Sequence, residues 1–294
     1  MTQPTPGSGR ATLVGFVAIL LWSLLALFTV GSAPVPPLQL NAMAFAVGGT
    51  LGLIWVGGTG GWARLRAVPP RVYLFGIAGL FGYHALYFSA LRLAPPAQAG
   101  LIAYLWPLLI VLFSGLLPGE RLRRGHVIGA LVAFAGAAVI IAGGAEAGMS
   151  PGMALGYGLA MLCALTWSGY SVLSRRLGQI PTDSVAIFCC GTALLSLPLH
   201  LMLETTVWPD GPVGWASVLA LGLGPVGLAF YVWDIGVKKG DIQLLGVASY
   251  AAPILSTGVL ILSGLAPTTW TLILAAALVA GGAALAARAS ARTG

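Results

Sequence analysis

Apolar residues run along this chain in long unbroken blocks, without the short polar/apolar alternation or the one-faced helical pattern of a water-soluble fold. A helix crosses the hydrocarbon core of a bilayer with about 20 mostly apolar residues. Ten blocks approach or pass that length: 11–30, 38–57, 71–91, 95–117, 125–143, 152–174, 184–203, 214–237, 241–262 and 269–287. A membrane barrel would show alternating segments of about 10 residues. The pattern therefore predicts an all-α polytopic membrane protein with ten transmembrane helices. The connections are too short to hide a soluble domain or an ATPase module.

Composition agrees with this reading: 58% of the 294 residues are hydrophobic and 7% charged, where a soluble domain carries roughly 25% charged. So few charges cannot cover a water-facing surface, and the surplus apolar side chains must face lipid. The net charge of +7 does not point to nucleic acid, because the 14 Lys and Arg are scattered through short loops and form no stripe. Cys163, Cys189 and Cys190 fall within apolar blocks, in odd number, which indicates neither a disulfide framework nor a zinc site. "VGSA" (30–33) faintly resembles a signal-peptidase site, but the preceding block is too long for a signal peptide, and it is expected to remain as the first span.

Basic residues collect on the cytoplasmic side of membrane proteins. With both termini cytoplasmic, 13 of the 14 Lys and Arg fall on that side and Arg92 alone lies outside. The opposite orientation reverses the score. The expected location is a bacterial-type inner membrane.

The two halves, 1–147 and 148–294, align with each other. Tyr104 and Pro107 of "YLWPLL" meet Tyr250 and Pro253 of "YAAPIL"; at the same offset Tyr87 meets Trp233 and Gly136 meets Gly282, while Trp22 meets Trp167 one position out of step. Five spans per half means that the second half enters the membrane from the opposite side. Inverted repeats of this kind place a substrate site near the midplane, at the repeat interface.

Two five-helix repeats, each with a Trp in its opening helix and a Pro in its fourth, resemble the drug/metabolite transporter superfamily, EamA type. "PGERLRRGHVIGALVAFAGAAVII" (118–141) is similar to that family's fourth loop and fifth helix, and "FGYHALYFSAL" (81–91) with "YLWPLL" resembles its YddG-type exporters of aromatic amino acids. The resemblance implies a secondary transporter, working in the export direction by alternating access, and no enzyme. One departure stands out: the second repeat has Ala266 where the first has Glu120.

Polar groups at membrane depth are costly and default to functional candidates. His84 lies near the centre of its span, flanked by Tyr83 and Tyr87 four residues apart on one helix face. Trp22 and Trp167 occupy matching mid-span positions and are read as cavity lining, whereas Trp55, Trp62, Trp208, Trp215 and Trp270 near span ends are read as an interfacial belt. Tyr104 and Trp106 stand about 200° apart on an ideal helix and share a cavity only if Pro107 bends the segment. Trp106 is favoured for substrate choice because its repeat partner is Ala252, and Tyr104 is read as architectural. Gln98 and Tyr250 complete the candidate substrate contacts, and Pro107 and Pro253 are candidate hinges. Asp234, four residues before Lys238, reads as an exposed ion pair or as a gating or coupling group.

Other patterns carry less. "GLGPVG" (222–227) matches G-x-G-x-x-G inside a span with no βαβ context, so it signals close helix packing and not dinucleotide binding. Gly152, Gly156, Ala160 and Ala164 form a small-residue ladder, as do Gly48 with Gly52 and Gly125 with Gly129. The first span has no carboxylate, against a small-cation multidrug antiporter, and no Lys or Arg lies at the midplane, against a nucleotide-sugar carrier. A channel would need a polar filter or charged ring. Exporters of other metabolites or drugs within the superfamily, and more remotely an intramembrane enzyme, stay as alternatives. No cofactor or metal is expected. The expected partners are a small aromatic amino acid and the bilayer, with no nucleic acid; a monomer and a homodimer both fit. With no mid-span carboxylate, facilitated diffusion or exchange is favoured, with proton coupling through His84 as the other option.

Overall fold

The computed structural model describes residues 8–114, 124–146, 149–174, 180–240, 245, 248–249 and 251–291, and every regular element among them is helical. Among the described residues six stretches are long and apolar enough to cross a membrane: Gly9–Gly31, Pro37–Thr59, Pro70–Leu93, Pro151–Leu173, Ser184–Leu203 and Gly211–Gly236. Shorter apolar helices cover Pro96–Ile110, Arg124–Val139, Ala252–Leu262 and Trp270–Leu285. Large apolar side chains such as Leu194, Leu201, Met202 and Leu262 project from the outer surface, as lipid contact requires. This is a polytopic helical membrane protein.

The elements are α1 (Ser8–Ser23), α2 (Leu25–Gly31), α3 (Pro37–Thr59), α4 (Trp62–Arg66), α5 (Pro70–Leu93), α6 (Pro96–Ala103) and α7 (Trp106–Ser114). They continue with α8 (Arg124–Glu146), α9 (Pro151–Ser174), α10 (Ser184–Leu203), α11 (Gly211–Leu223), a π-helical turn (Gly224–Leu228), α12 (Ala229–Lys239), α13 (Ala252–Leu262) and α14 (Trp270–Ala291). Pro37, Pro70, Pro96 and Pro151 each open a helix, where a missing N–H costs nothing and the fixed φ already suits the helix. α3 ends on Gly60 at φ 66°, a left-handed conformation that a side chain would strain.

The most extensive helix contacts pair α8 with α14, α3 with α10, α5 with α9 and α1 with α12. Small residues allow the backbones to approach. A Cβ placed on Gly236 of α12 would lie 2.6 Å from the Cα of Gly15 on α1, and one on Gly48 of α3 would lie 3.0 Å from the Cα of Gly227. Of the predicted ladder, Gly156 sits against Ala94 and the Ala90 carbonyl, while Gly152 has only Ser150 within reach.

Polar side chains tie the helix ends. Glu204, just after α10, accepts the backbone N–H groups of Leu38 and Gln39 at 3.0 and 3.1 Å. A carboxylate there satisfies two otherwise orphaned donors and meets the positive end of the α3 dipole. His200 holds the same carboxylate at 2.9 Å. At the opposite end of this helix pair Arg64 of α4 donates to Asp183 at 2.5 Å, immediately before α10. Between the two ends Asn41 Nδ2 donates to Ser196 Oγ at 3.0 Å. α3 and α10 are thus bonded at the top, middle and bottom.

Arg92, the basic residue expected outside, turns back on its own end of the molecule. Its guanidinium donates to Thr29 O at 2.7 Å, Ser32 Oγ at 3.0 Å and twice to Val35 O at 3.1 and 3.2 Å. It meets the Thr29 carbonyl in the last turn of α2 and the Val35 carbonyl of the connection to α3. Replacing Arg92 with Met is expected to destabilise the protein by about 1.5–3 kcal/mol, the usual value of charged hydrogen bonds, with Arg92→Lys falling in between. Thermal unfolding in detergent measures this; an unchanged transition for Arg92→Met would mean that water satisfies those carbonyls equally well.

Candidate functional site

Among the described residues four membrane segments are interrupted. The first breaks at Leu24 between α1 and α2. The fourth breaks at Tyr104–Leu105 between α6 and α7, which puts Pro107 at the second position of α7 and not in a helix interior. The segment from Gly211 is broken by the π turn containing Pro225, and Pro253 stands at the second position of α13, just after a turn at Ala251. Both candidate hinge prolines therefore follow an existing break instead of disrupting a regular helix.

The broken ends enclose a central chamber lined by Trp22 and Leu25, Tyr104 and Trp106, Tyr83 and His84, Trp167, Phe230, Ser249 and their neighbours. The turn at Tyr104–Leu105 removes the geometric conflict expected between Tyr104 and Trp106, and both face the chamber. Tyr104 also donates its hydroxyl to Trp22 O at 3.1 Å, so it is lining and architecture at once. Ser168 donates to Trp106 O at 3.0 Å, which anchors the start of α7 to α9.

Ring contacts knit the walls together. Tyr83 lies 5.1 Å from Trp167 and 4.8 Å from His84, and Trp106 meets Trp167 edge-on at 6.5 Å. Phe230 touches Trp22 at 6.0 Å, Trp167 at 5.9 Å and His84 at 5.6 Å. It bridges the two repeat-matched tryptophans. Sequence reasoning passed over Phe230, although the alignment that pairs Tyr87 with Trp233 also pairs His84 with Phe230. Ile19, Leu25, Ser249 and Ala252 were missed for a different reason, since nothing in their residue type marks them.

His84 Nδ1 sits 2.9 Å from Leu80 O. A carbonyl only accepts, so Nδ1 carries the hydrogen, and in the neutral ring Nε2 is left as an acceptor. Among the described lining residues none is Asp, Glu, Lys or Arg. A solute held here must have charges that offset one another, or be met by ring faces and dipoles. Aromatic rings stack against such walls, and an ammonium group gains from their π faces. The space left between these side chains is about 20 Å³, against the roughly 10–15 Å³ that one water needs. The chamber is contracted in this conformation, and side chains must move apart to admit an aromatic solute.

Of the sequence-predicted contacts, Trp22, Tyr83, His84, Trp106 and Trp167 meet at the chamber. Tyr87 and Gln98 stand behind it: Tyr87 stacks on Tyr83 at 5.9 Å, and Gln98 Oε1 accepts the Tyr157 hydroxyl. Asp234 is away from the lining and accepts the Thr182 hydroxyl. Tyr250, Glu120 and the side chain of Lys238 lie outside the described residues. Trp55, Trp62, Trp208, Trp215 and Trp270 are all exposed at helix ends, and Trp208 stacks on Trp215.

Comparison with known proteins agrees with this geometry. The model of the EamA-like transporter family matches twice, over residues 9–142 and 154–288. An aromatic amino acid exporter, YddG, of Ancylobacter novellus is 54% identical, covering 94% of this chain and 96% of that protein. The exporter of the same name from Salmonella typhimurium is 27% identical over 95% of this chain and 97% of its own length. A solved crystal structure superposes with a TM-score of 0.75 at 54% identity, covering 94% of this chain and 97% of that one. The chain belongs to the EamA-like transporter family.

Proposed function

We propose that the protein exports aromatic amino acids across a bacterial inner membrane by alternating access through the central chamber. The observation that carries this reading is the convergence of Trp22, Tyr83, Trp106, Trp167 and Phe230 around His84, with no Asp, Glu, Lys or Arg among the described lining residues. A zwitterion with an aromatic side chain fits such a wall: the ring stacks, and the two backbone charges offset each other. The relatives named aromatic amino acid exporters support the substrate class and the direction.

The architecture is proposed to be ten spans in two inverted repeats, 1–147 and 148–294, with both termini cytoplasmic. The helix pairing supports it. Exchanging each span for its repeat partner maps α8·α14 and α3·α10 onto themselves and turns α5·α9 into α12·α1, so the major contacts form a set closed under a two-fold exchange. The distribution of basic residues supports the orientation. Pro107 and Pro253, each just past a break, are the proposed bending points. Asp234, bonded to Thr182 at the cytoplasmic end, is proposed to latch that end and not to bind substrate. Transport is by facilitated diffusion or exchange, with His84 serving as an acceptor in the wall.

In proteoliposomes, Trp106→Ala, His84→Ala and Phe230→Ala are each expected to lower labelled phenylalanine flux by about tenfold, as loss of one or two good aromatic or polar contacts would. Parent-like transport by all three would refute the site. Flux with an imposed pH gradient should equal flux without one; a gradient-driven increase that disappears in His84→Gln would establish proton coupling instead. For orientation, Trp208→Cys should react with a membrane-impermeant maleimide in intact cells, and Trp62→Cys only after permeabilisation. The reverse labelling would invert the topology.

A further inference from the structure

A second space, larger than the chamber and sharing none of its described lining residues, opens between α3 and α12. It measures about 140 Å³, close to the roughly 150 Å³ engineered apolar cavity that takes up benzene. Gly52 and Trp55 form one wall, Leu228, Val232 and Ile235 the other, and Thr182 sits at one end. Tyr231 folds inward over Gly52, its hydroxyl 1.8 Å from where a Gly52 Cβ would stand, and donates to Gly48 O at 3.3 Å. With that ring tucked against α3, the recess remains on the outer side. Its mouth is on the outer surface: Trp55 is 53% and Leu228 41% exposed.

The helix register places a cation on each side of the end nearest the cytoplasm. Leu228, Val232, Ile235 and Lys239 follow the spacing of one helix face, and Lys239 is exposed. It lies about 16 Å beyond Leu228 at 1.5 Å per residue. On the other wall Thr59 is one turn past Trp55 and accepts Arg64 Nη2 at 3.5 Å. Two acidic groups are close by and both are engaged: Asp183 holds Arg64 Nε at 2.5 Å, and Asp234 takes the Thr182 hydroxyl.

We propose that this groove is a lipid site, with one acyl chain of an anionic phospholipid of the inner leaflet lying between α3 and α12 and its phosphate between Arg64 and Lys239. The groove opens sideways at hydrocarbon depth, so the surrounding bilayer supplies its occupant. Water is excluded because the walls offer it too few polar partners. Anionic headgroups are drawn to cations at that depth. The inference rests on the proposed orientation, and its test reads lipid retention without transport, so the two readings fail separately.

Native mass spectrometry of the full chain, released from detergent with phosphatidylglycerol or phosphatidylethanolamine, decides it. The parent is expected to retain phosphatidylglycerol preferentially. Lys239→Gln, a surface change, should lower that retention about fivefold and leave phosphatidylethanolamine unchanged, whereas Arg288→Gln on α14 should leave both unchanged. Val232→Phe, which fills the groove, should remove the preference. Equal retention of the two lipids by the parent, or unaltered phosphatidylglycerol binding in Lys239→Gln, would overturn the site.

Discussion

In hydrocarbon no water is present to satisfy a free backbone N–H or C=O, so a helix can break only where other protein covers the break or a cavity borders it. This constraint organises the molecule. Residues beside the interruptions at Leu24, Tyr104–Leu105, Gly224–Leu228 and Ala251 supply much of the chamber lining, and the continuous helices α5 and α9 add Tyr83, His84 and Trp167. Tyr104 meets the Trp22 carbonyl, so a neighbouring segment closes one group that the end of α1 leaves open, and Ser168 ties the start of α7 to α9 through the Trp106 carbonyl. The irregular backbone and the continuous helices α5 and α9 therefore share the site.

Around this deformable centre stands a stiffer frame. α3 and α10 are held at one end by Glu204 and His200, at the other by Arg64 and Asp183, and midway by Asn41 and Ser196. Glycine contacts between α1 and α12 and between α3 and the π turn leave little room for sliding there. Under the proposed alternating access, α3 and α10 stay together while the broken segments rearrange around a chamber that holds about 20 Å³ when contracted. The charged residues belong to the frame and the rings to the chamber.

Much of this was legible before any coordinates. Long apolar blocks have no alternative to lipid, so the class of fold followed from them alone. His84, Trp22 and Trp167 stood out because a ring or a polar atom at mid-span is costly. Phe230 did not stand out, since phenylalanine in an apolar block looks like filler; only its position opposite His84 in the other repeat marks it. Gln98 and Tyr87 show what spacing alone does not convey. Each has the right chemistry and the right span, but a helix has more than one face, and theirs meet Tyr157 and Tyr83.

The sequence by itself determined the membrane class, the helix starts at the N1 prolines, the charge asymmetry and the family. These are local or additive properties: hydrophobicity sums along a segment, and proline acts on its own φ and N–H. What only the tertiary structure decided is which side chains share a space. A two-residue turn at Tyr104–Leu105 brought Tyr104 and Trp106 onto one cavity, though a regular helix would have set them on opposite faces. The groove between α3 and α12 likewise exists because Gly52 lets Tyr231 fold inward. Such juxtapositions depend on contacts between residues far apart in the chain, and no segment carries them alone.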